Sequence, residues 1–285
     1  MRTSNRISGF GLNVVRLAVV VGLSWLFFRI IGSPAPPPTP VRTGRVSVLS
    51  YNIQADSTRW SKTVDAILIA NADVVCLQEV STACFDHLRR ELQHRYPVKL
   101  YRDSNYGFGG LAFFSKYKIR DQDYLPAEHD AWFPAWIVEA DTPAGPVQIL
   151  QVHLRPRIAD VGGKVIGHLT VGSIHRREVA AYFDRLATGV PTLIVGDFNE
   201  ENGAPAVRFL RKHDFTNALP LFDQDSHTWQ GKVWGVKIKS RIDHIFFSTH
   251  FDCTEARVIH GGGSDHLPIR AAFMQRAANS SSTEE

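Results

Sequence analysis

Six apolar runs rich in β-branched residues each carry, at one end, a carboxylate, an amide or an imidazole. The polar ends are Asn52, Gln78-Glu79, His153, Asp197 with Asn199 just beyond it, Asp243-His244, and Asp265-His266. A buried strand is a costly place for such groups. If the runs are strands of packed sheets, one sheet edge gathers all of these side chains. Any one alone reads as a turn former, a cap or a satisfied core histidine. Together they suit hard-cation binding and phosphoryl chemistry.

The patterning between the runs limits the architecture. Strands are expected at 46–53, 73–79, 110–115, 119–124, 136–139, 147–153, 192–195, 242–248, 257–260 and 267–273. Helices are expected at 63–70, at 81–95 with Phe85, Leu88 and Leu92 on one face, at 172–186 with Ser173 as a cap, and at 204–212. Helices and strands mix without simple alternation. That favours an α/β fold of two packed sheets with helices outside over a Rossmann arrangement. No internal repeat is apparent.

Charge separates the body of the chain from a leader. The net charge is +4, from 32 basic and 28 acidic residues. Residues 1–40 hold Arg2, Arg6, Arg16 and Arg29 and no acid, which leaves 28 of each sign in 41–285. The body therefore has no bulk basic excess of the kind that marks a nucleic-acid binder. An apolar content of 44% excludes a disordered chain, and three cysteines exclude a disulfide scaffold.

Within the leader, Leu17–Phe28 is an uncharged apolar run. It extends to Val14–Ile31 if Arg16 and Arg29 snorkel. Residues 1–33 read as an apolar helix acting as a membrane anchor, or as a signal segment with a poor cleavage site before Pro36. Either reading puts the body outside the cytoplasm, anchored or secreted. Five prolines in Pro34–Pro40 make 34–44 a semi-rigid linker. The domain is then expected over 45–275, with a frayed tail at 276–285.

The order of the motifs adds a resemblance. They are Ser50-Tyr51-Asn52-Ile53, Leu77-Gln78-Glu79-Val80, Gly109–Ser115, Val152-His153-Leu154, Gly196-Asp197-Phe198-Asn199, Arg241-Ile242-Asp243-His244 and Ser264–Pro268. In this sequence the set resembles the endonuclease/exonuclease/phosphatase superfamily, with its deoxyribonuclease I-like fold. The resemblance implies a four-layer α/β/β/α sandwich and Mg²⁺-dependent phosphoester hydrolysis, with Mn²⁺ as an alternative ion. It implies Glu79, Asn52 and Asp265 around the metal, with Gln78 supporting Glu79. It implies Asp197 as the residue that activates water and Asn199 as a phosphate holder. His153 and His266 would donate to phosphate or leaving group, with Asp243 orienting His266. Asp103 is the expected partner of His153. A histidine at position 153, where abasic-site repair enzymes carry tyrosine, points toward nucleases, sphingomyelinases and inositol-phosphate phosphatases.

Substrate contacts are expected from Arg155, Lys239 and Arg241. Lys232, Lys237, Lys239 and Arg241 form a basic stripe suited to nucleic-acid backbone or anionic lipid heads, or left solvated. Tyr124, Trp132, Phe133 and Trp136 form an aromatic segment suited to a bilayer interface, to base stacking or to core packing. A long loop, 155–171 with Gly162-Gly163, would shape substrate access. The expected partners are a phosphoester substrate, nucleic acid or phospholipid head group, and a membrane through the leader; the body is expected to be a monomer. A non-catalytic binding module is the alternative from another class. The cysteines have no nucleophile setting.

Overall fold

A computed structural model of the chain describes residues 44–104, 107–127, 131–156, 166–233 and 235–276. The anchor or signal segment, almost all of the linker, Gly162-Gly163 and nearly all of the expected tail lie outside the described residues. Among the described residues, no helix is long and apolar enough to cross a membrane.

Two six-stranded mixed sheets form the body. The first runs in the order β13 (Phe251–Val258), β14 (Ile269–Gln275), β1 (Arg45–Asn52), β2 (Val74–Val80), β4 (Gly110–Ser115), β3 (Val98–Arg102). The second runs β5 (Ile119–Leu125), β6 (Ala135–Thr142), β7 (Gly145–His153), β8 (Thr192–Asp197), β12 (Asp243–Phe247), β9 (Thr216–Asn217). The central strands are buried along nearly their whole length, which explains their near-continuous apolar character. A core from both sheets, including Val48, Phe113, Trp136, Val195 and Phe273, fills the space between them.

The outer faces take helices. Helices α1 (Trp60–Ala70) and α2 (Thr82–Glu91) bury Ile67 and Leu88 against Leu49, Leu77 and Phe114 of the first sheet. Helices α3 (Ile166–Phe183) and α4 (Pro205–Lys212) bury Val179 and Leu210 against Leu150 and Ile194 of the second. The result is the layered sandwich expected from the mixed patterning. Ser81 caps α2 by accepting from Cys84 N at 3.3 Å. Ser173 does not stand at the helix start expected of it: α3 starts at Ile166, so Ser173 lies in its interior, and part of the expected access loop is helix. Gly172 looks like a helix start in the sequence, yet the helix runs through it: the missing side chain lets α3 lie close to Pro205 of α4, where a Cβ would fall 3.0 Å from Pro205 Cγ.

A two-stranded hairpin, β10 (Trp229–Val233) and β11 (Val236–Ser240), carries the basic stripe, with Lys237 and Lys239 on one strand face as their alternation implies. The partner strand β10, Trp229-Gln230-Gly231-Lys232-Val233, has too little alternation to read as a strand in sequence.

Topology decides where the polar strand ends go. β1 and β2 are parallel with Asn52 opposite Gln78, and β7 and β8 are parallel with His153 opposite Asp197. Parallel neighbours finish at the same edge. β12 is antiparallel to β8 and begins there, with Asp243 opposite Asp197. β14 is antiparallel to β1, which brings the preceding Asp265-His266 loop to the same edge. Every polar end singled out from the sequence thus converges on one rim of the sandwich.

Candidate active site

The rim is built by local backbone exceptions. Glu79 sits at an irregularity between Leu77 and Val80 in the β2–β4 ladder and adopts φ 57°, a left-handed conformation unusual for a carboxylate residue. Gly109 packs against that backbone; a Cβ on it would fall 2.7 Å from the Glu79 carbonyl carbon. Gly196, with φ 148°, lies so close to β7 that a Cβ would meet Val152 O at 1.9 Å. This close approach of β8 to β7 places Asp197 beside His153.

Asn52 joins the two sheets. Its buried Nδ2 donates to Glu79 Oε1 at 2.9 Å and to Asp197 Oδ2 at 3.1 Å, and its Oδ1 accepts from Gln54 N at 3.0 Å. Glu79 Oε2 accepts from Ala55 N at 3.1 Å. Behind them Gln151 Nε2 donates to Leu77 O at 2.7 Å, a second tie between the sheets. Gln78 is fully buried and donates to Ser50 Oγ and Cys76 O, so it braces the strand that carries Glu79.

Asp197 is the hub, 1% exposed. Its Oδ2 lies 3.7 Å from both His153 Nε2 and His266 Nε2, and its Oδ1 accepts from Asn199 N at 2.8 Å. Asn199, at φ 48°, donates through Nδ2 to Leu154 O at 2.8 Å. The two loops leaving β7 and β8 are thereby cross-linked.

The two histidines differ in electrostatics. Burial alone depresses an imidazolium. For His153 the charge on His266 adds to burial, so its pKa falls to about 3. Phe133 stacks flat on its ring, 3.8 Å between centroids. For His266 burial also lowers the pKa, but Asp243 and Asp197 outweigh it and raise it to about 10. Asp243 Oδ1 and Oδ2 lie 3.1 and 3.0 Å from His266 Nδ1. Asp243 is itself held by its backbone N donating to Thr228 Oγ1 at 3.0 Å. Burial raises the proton affinity of Asp197; the charge of His266 opposes this, and Asp243 reinforces it. Burial raises Glu79 as well, with a further push from nearby Asp265.

The other expected residues fall as follows. Asp265 Oδ2 accepts from Trp229 Nε1 at 2.8 Å, at the foot of the hairpin. Arg155 lies over the Trp132 ring at 4.8 Å. Lys239 is exposed on β11. Arg241 donates from Nε and Nη2 to Ser226 O at 2.8 and 2.6 Å and faces Asp223 at 3.6 Å, so its guanidinium is engaged in fixing that loop. Among the described residues, neither a hydrogen bond nor an ion pair links Asp103 to His153; Glu79 Oε1 and Asp197 Oδ2, each 3.7 Å away, are the carboxylate oxygens that face His153 Nε2. Of the aromatic segment, Phe133 and Trp136 are buried, so both serve packing. Burial pushes the Cys84 thiol up to about 12, consistent with inert cysteines.

Sequence reasoning missed several supporting groups. Tyr51 OH accepts from Gly263 N at 3.0 Å and Ser264 N at 3.3 Å, pinning the loop that presents His266. His175 of α3 is fully buried. Its Nε2–H donates to Arg155 O at 2.7 Å, and its Nδ1 lies 3.1 Å from Glu200 Oε1. Glu200 in turn accepts from Ala206 N at 2.8 Å through its side chain and from His244 Nε2 at 2.7 Å through its carbonyl. Tyr51 was visible as part of a motif, but nothing in the local pattern of α3 marked His175.

Asp197, Asp243 and His266 bring ligand atoms within 4.8 Å of one another, a buried group that could hold a metal ion. A layered sandwich with such a rim defines a class of phosphoester hydrolases, and the comparisons agree. The chain matches the Endonuclease/Exonuclease/phosphatase family over residues 49–266, and it belongs to that family. No curated protein matches it significantly. Among solved structures, it is similar to an endonuclease/exonuclease/phosphatase from Beutenbergia cavernae (14% identity, TM-score 0.66, 81% of this chain and 72% of that one). It is also similar to a family protein from Leptotrichia buccalis (15%, TM-score 0.62, 80% and 99%) and to TDP2 from Caenorhabditis elegans (19%, TM-score 0.61, 81% and 74%). At these identities the likeness is one of fold. Members of the family are divalent-metal-dependent hydrolases of phosphoesters.

Proposed function

We propose that this protein is a metal-dependent phosphodiesterase whose reaction centre is Asp197, flanked by a neutral His153 and a cationic His266. The observation that carries the reading is geometric: His153 Nε2 and His266 Nε2 each lie 3.7 Å from one buried carboxylate oxygen, Asp197 Oδ2, and Asp243 backs His266 on its other ring nitrogen.

The residues fit a hard divalent cation. Glu79 offers a carboxylate whose proton affinity is raised by burial and further by Asp265, both of which a bound cation would offset. His153 Nε2 is buried without a hydrogen-bond partner and points toward Glu79 and Asp197. Glu79 would hold Mg²⁺ or Mn²⁺, with Asp265 nearby and Asn52 orienting the carboxylate. When bound, the ion offsets charge on the phosphoryl oxygen.

The chain's own groups do the proton work. Asp197, with its affinity raised by burial, accepts the proton of the attacking water. His266 donates from Nε2 toward the phosphate or leaving oxygen, and Asp243 on Nδ1 sustains its charge and fixes the ring. His153 offers a neutral hydrogen bond. Asn199 keeps its second amide hydrogen for a phosphate oxygen, and Arg155 and Lys239 supply cations at the rim. The apolar leader would carry this body across a membrane, leaving it anchored or secreted.

The test is hydrolysis of plasmid DNA, RNA, sphingomyelin, phosphoinositides and bis-p-nitrophenyl phosphate by the full chain with Mg²⁺. Activity on at least one phosphodiester, abolished by excess chelator and restored by Mg²⁺, is expected. Activity that survives chelation would overturn the metal-dependent reading.

A further inference from the structure

We infer that the β10–β11 hairpin is a docking surface for the phosphate backbone of a nucleic-acid strand. The inference rests on the phosphodiesterase reading of the neighbouring site and specifies its substrate class. Residues directly opposite in an antiparallel pair share a face. Here Lys232 is opposite Lys237, and Gln230 is opposite Lys239. Three lysines therefore crowd one face of a two-stranded ribbon, and all three are exposed. Like charges placed directly opposite one another destabilise a ladder. Among the described residues no ion pair relieves Lys232, Lys237 or Lys239, although surface ion pairs are common elsewhere on this protein. Among the described residues the ribbon has no third strand in its own sheet, so the lysine face is open to an anionic partner that would relieve this repulsion.

Position supplies the identity of that partner. The hairpin is rooted in the reaction centre: Trp229 forms a β-bridge with His266, its Nε1 donates to Asp265, and Gln230 N donates to Asp265 O at 3.0 Å. The lysine face thus begins at the residue bonded to the catalytic loop and runs outward along β10 and β11. A small phosphoester held at Asp197 would not extend along it, whereas a polymer of phosphodiesters would. A flat anionic membrane fits less well. Val236 (63% exposed) and Ile238 (37%) occupy the face opposite the lysines, so a planar surface cannot receive both. A strand needs only the cationic face.

The test uses the full-length chain, wild type and K232Q/K237Q, in fluorescence anisotropy with a single-stranded DNA oligonucleotide and no added metal. Each phosphate contact contributes about 0.7 to the slope of log affinity against log salt, so the variant's slope should shrink by about 1.4, equivalent to roughly 20-fold weaker binding near 0.1 M salt. K232R/K237R should bind like wild type, and a thermal melt verifies that each variant folds. Hydrolysis of bis-p-nitrophenyl phosphate should be unchanged in K232Q/K237Q. An unchanged salt slope, or binding of phosphatidylserine vesicles in place of the oligonucleotide, would overturn the inference. Loss of all hydrolysis in the wild type would instead overturn the phosphodiesterase reading and leave the binding measurement standing.

Discussion

Replacing Asp243 by asparagine preserves side-chain volume and removes one charge from the site. Both oxygens of Asp243 face His266 Nδ1, at 3.1 and 3.0 Å, and both residues are buried. Asp243 supplies the largest of the interactions that overcome burial and hold His266 near 10. A hydrogen bond to a charged group contributes about 1.5–3 kcal/mol. At about 1.4 kcal/mol per decade, D243N should lower kcat/KM by roughly 10- to 150-fold near neutral pH. The amide can also turn its own donors toward Nδ1–H, which would add to the loss. The assay is steady-state hydrolysis of bis-p-nitrophenyl phosphate across pH, with the His266 ring followed by NMR. The ring should titrate at lower pH in the variant, and activity should be lost at lower pH on the alkaline side. The stability sign is defined too. A raised histidine pKa contributes fully below the unfolded value of 6.5 and is lost as pH rises through about 10. The gap in stability between wild type and D243N should therefore be widest below 6.5 and close toward 10. An unshifted His266 titration together with kcat/KM within about threefold of wild type would refute the reasoning.

Three further outcomes are expected. E79Q and D197N should each cut hydrolysis by at least about 10², read as kcat/KM at saturating Mg²⁺, with the melting temperature of the metal-free protein little changed or raised because buried carboxylates are neutralised. F133A removes the ring stacked on His153 and should lower stability by about 3–5 kcal/mol in urea unfolding. It should also raise the His153 titration from about 3 toward 6.5 as water reaches the ring, so the loss of wild-type stability between those pH values on acidification should lessen. H175A removes the imidazole beside Glu200 Oε1, leaves the carboxylate, among the described residues, only its bond from Ala206 N, and should destabilise by about 1–3 kcal/mol; in a double-mutant cycle with E200A, a coupling near zero would show that the pair does not hold the two loops together.

Much of this protein is legible in its sequence because burial writes itself into residue type. The apolar runs are apolar because they are central strands with both faces covered, and their polar ends stand out for the same reason. Glu79, His153, Asp197, Asp243 and His266 could be picked out, and the family's motif order named their chemistry. The features that escaped have no such local mark. The hairpin is exposed on both faces, α3 runs through Gly172 because that glycine packs against Pro205, and Arg241 reads as an available cation until Ser226 O is seen beneath it.

The sequence by itself determined which groups would gather at a rim and that two sheets would form it. Only the tertiary structure decided what each group is. His153 ends an apolar run and His266 lies just before one, both buried on the same rim, yet one is held neutral and the other charged. Burial lowers both; the difference comes from Asp243 and Asp197, which hold the charge on His266, and from that charge, which acts against a second one on His153. Proton affinity depends on the field and solvent at a point in space, and folding alone creates that point.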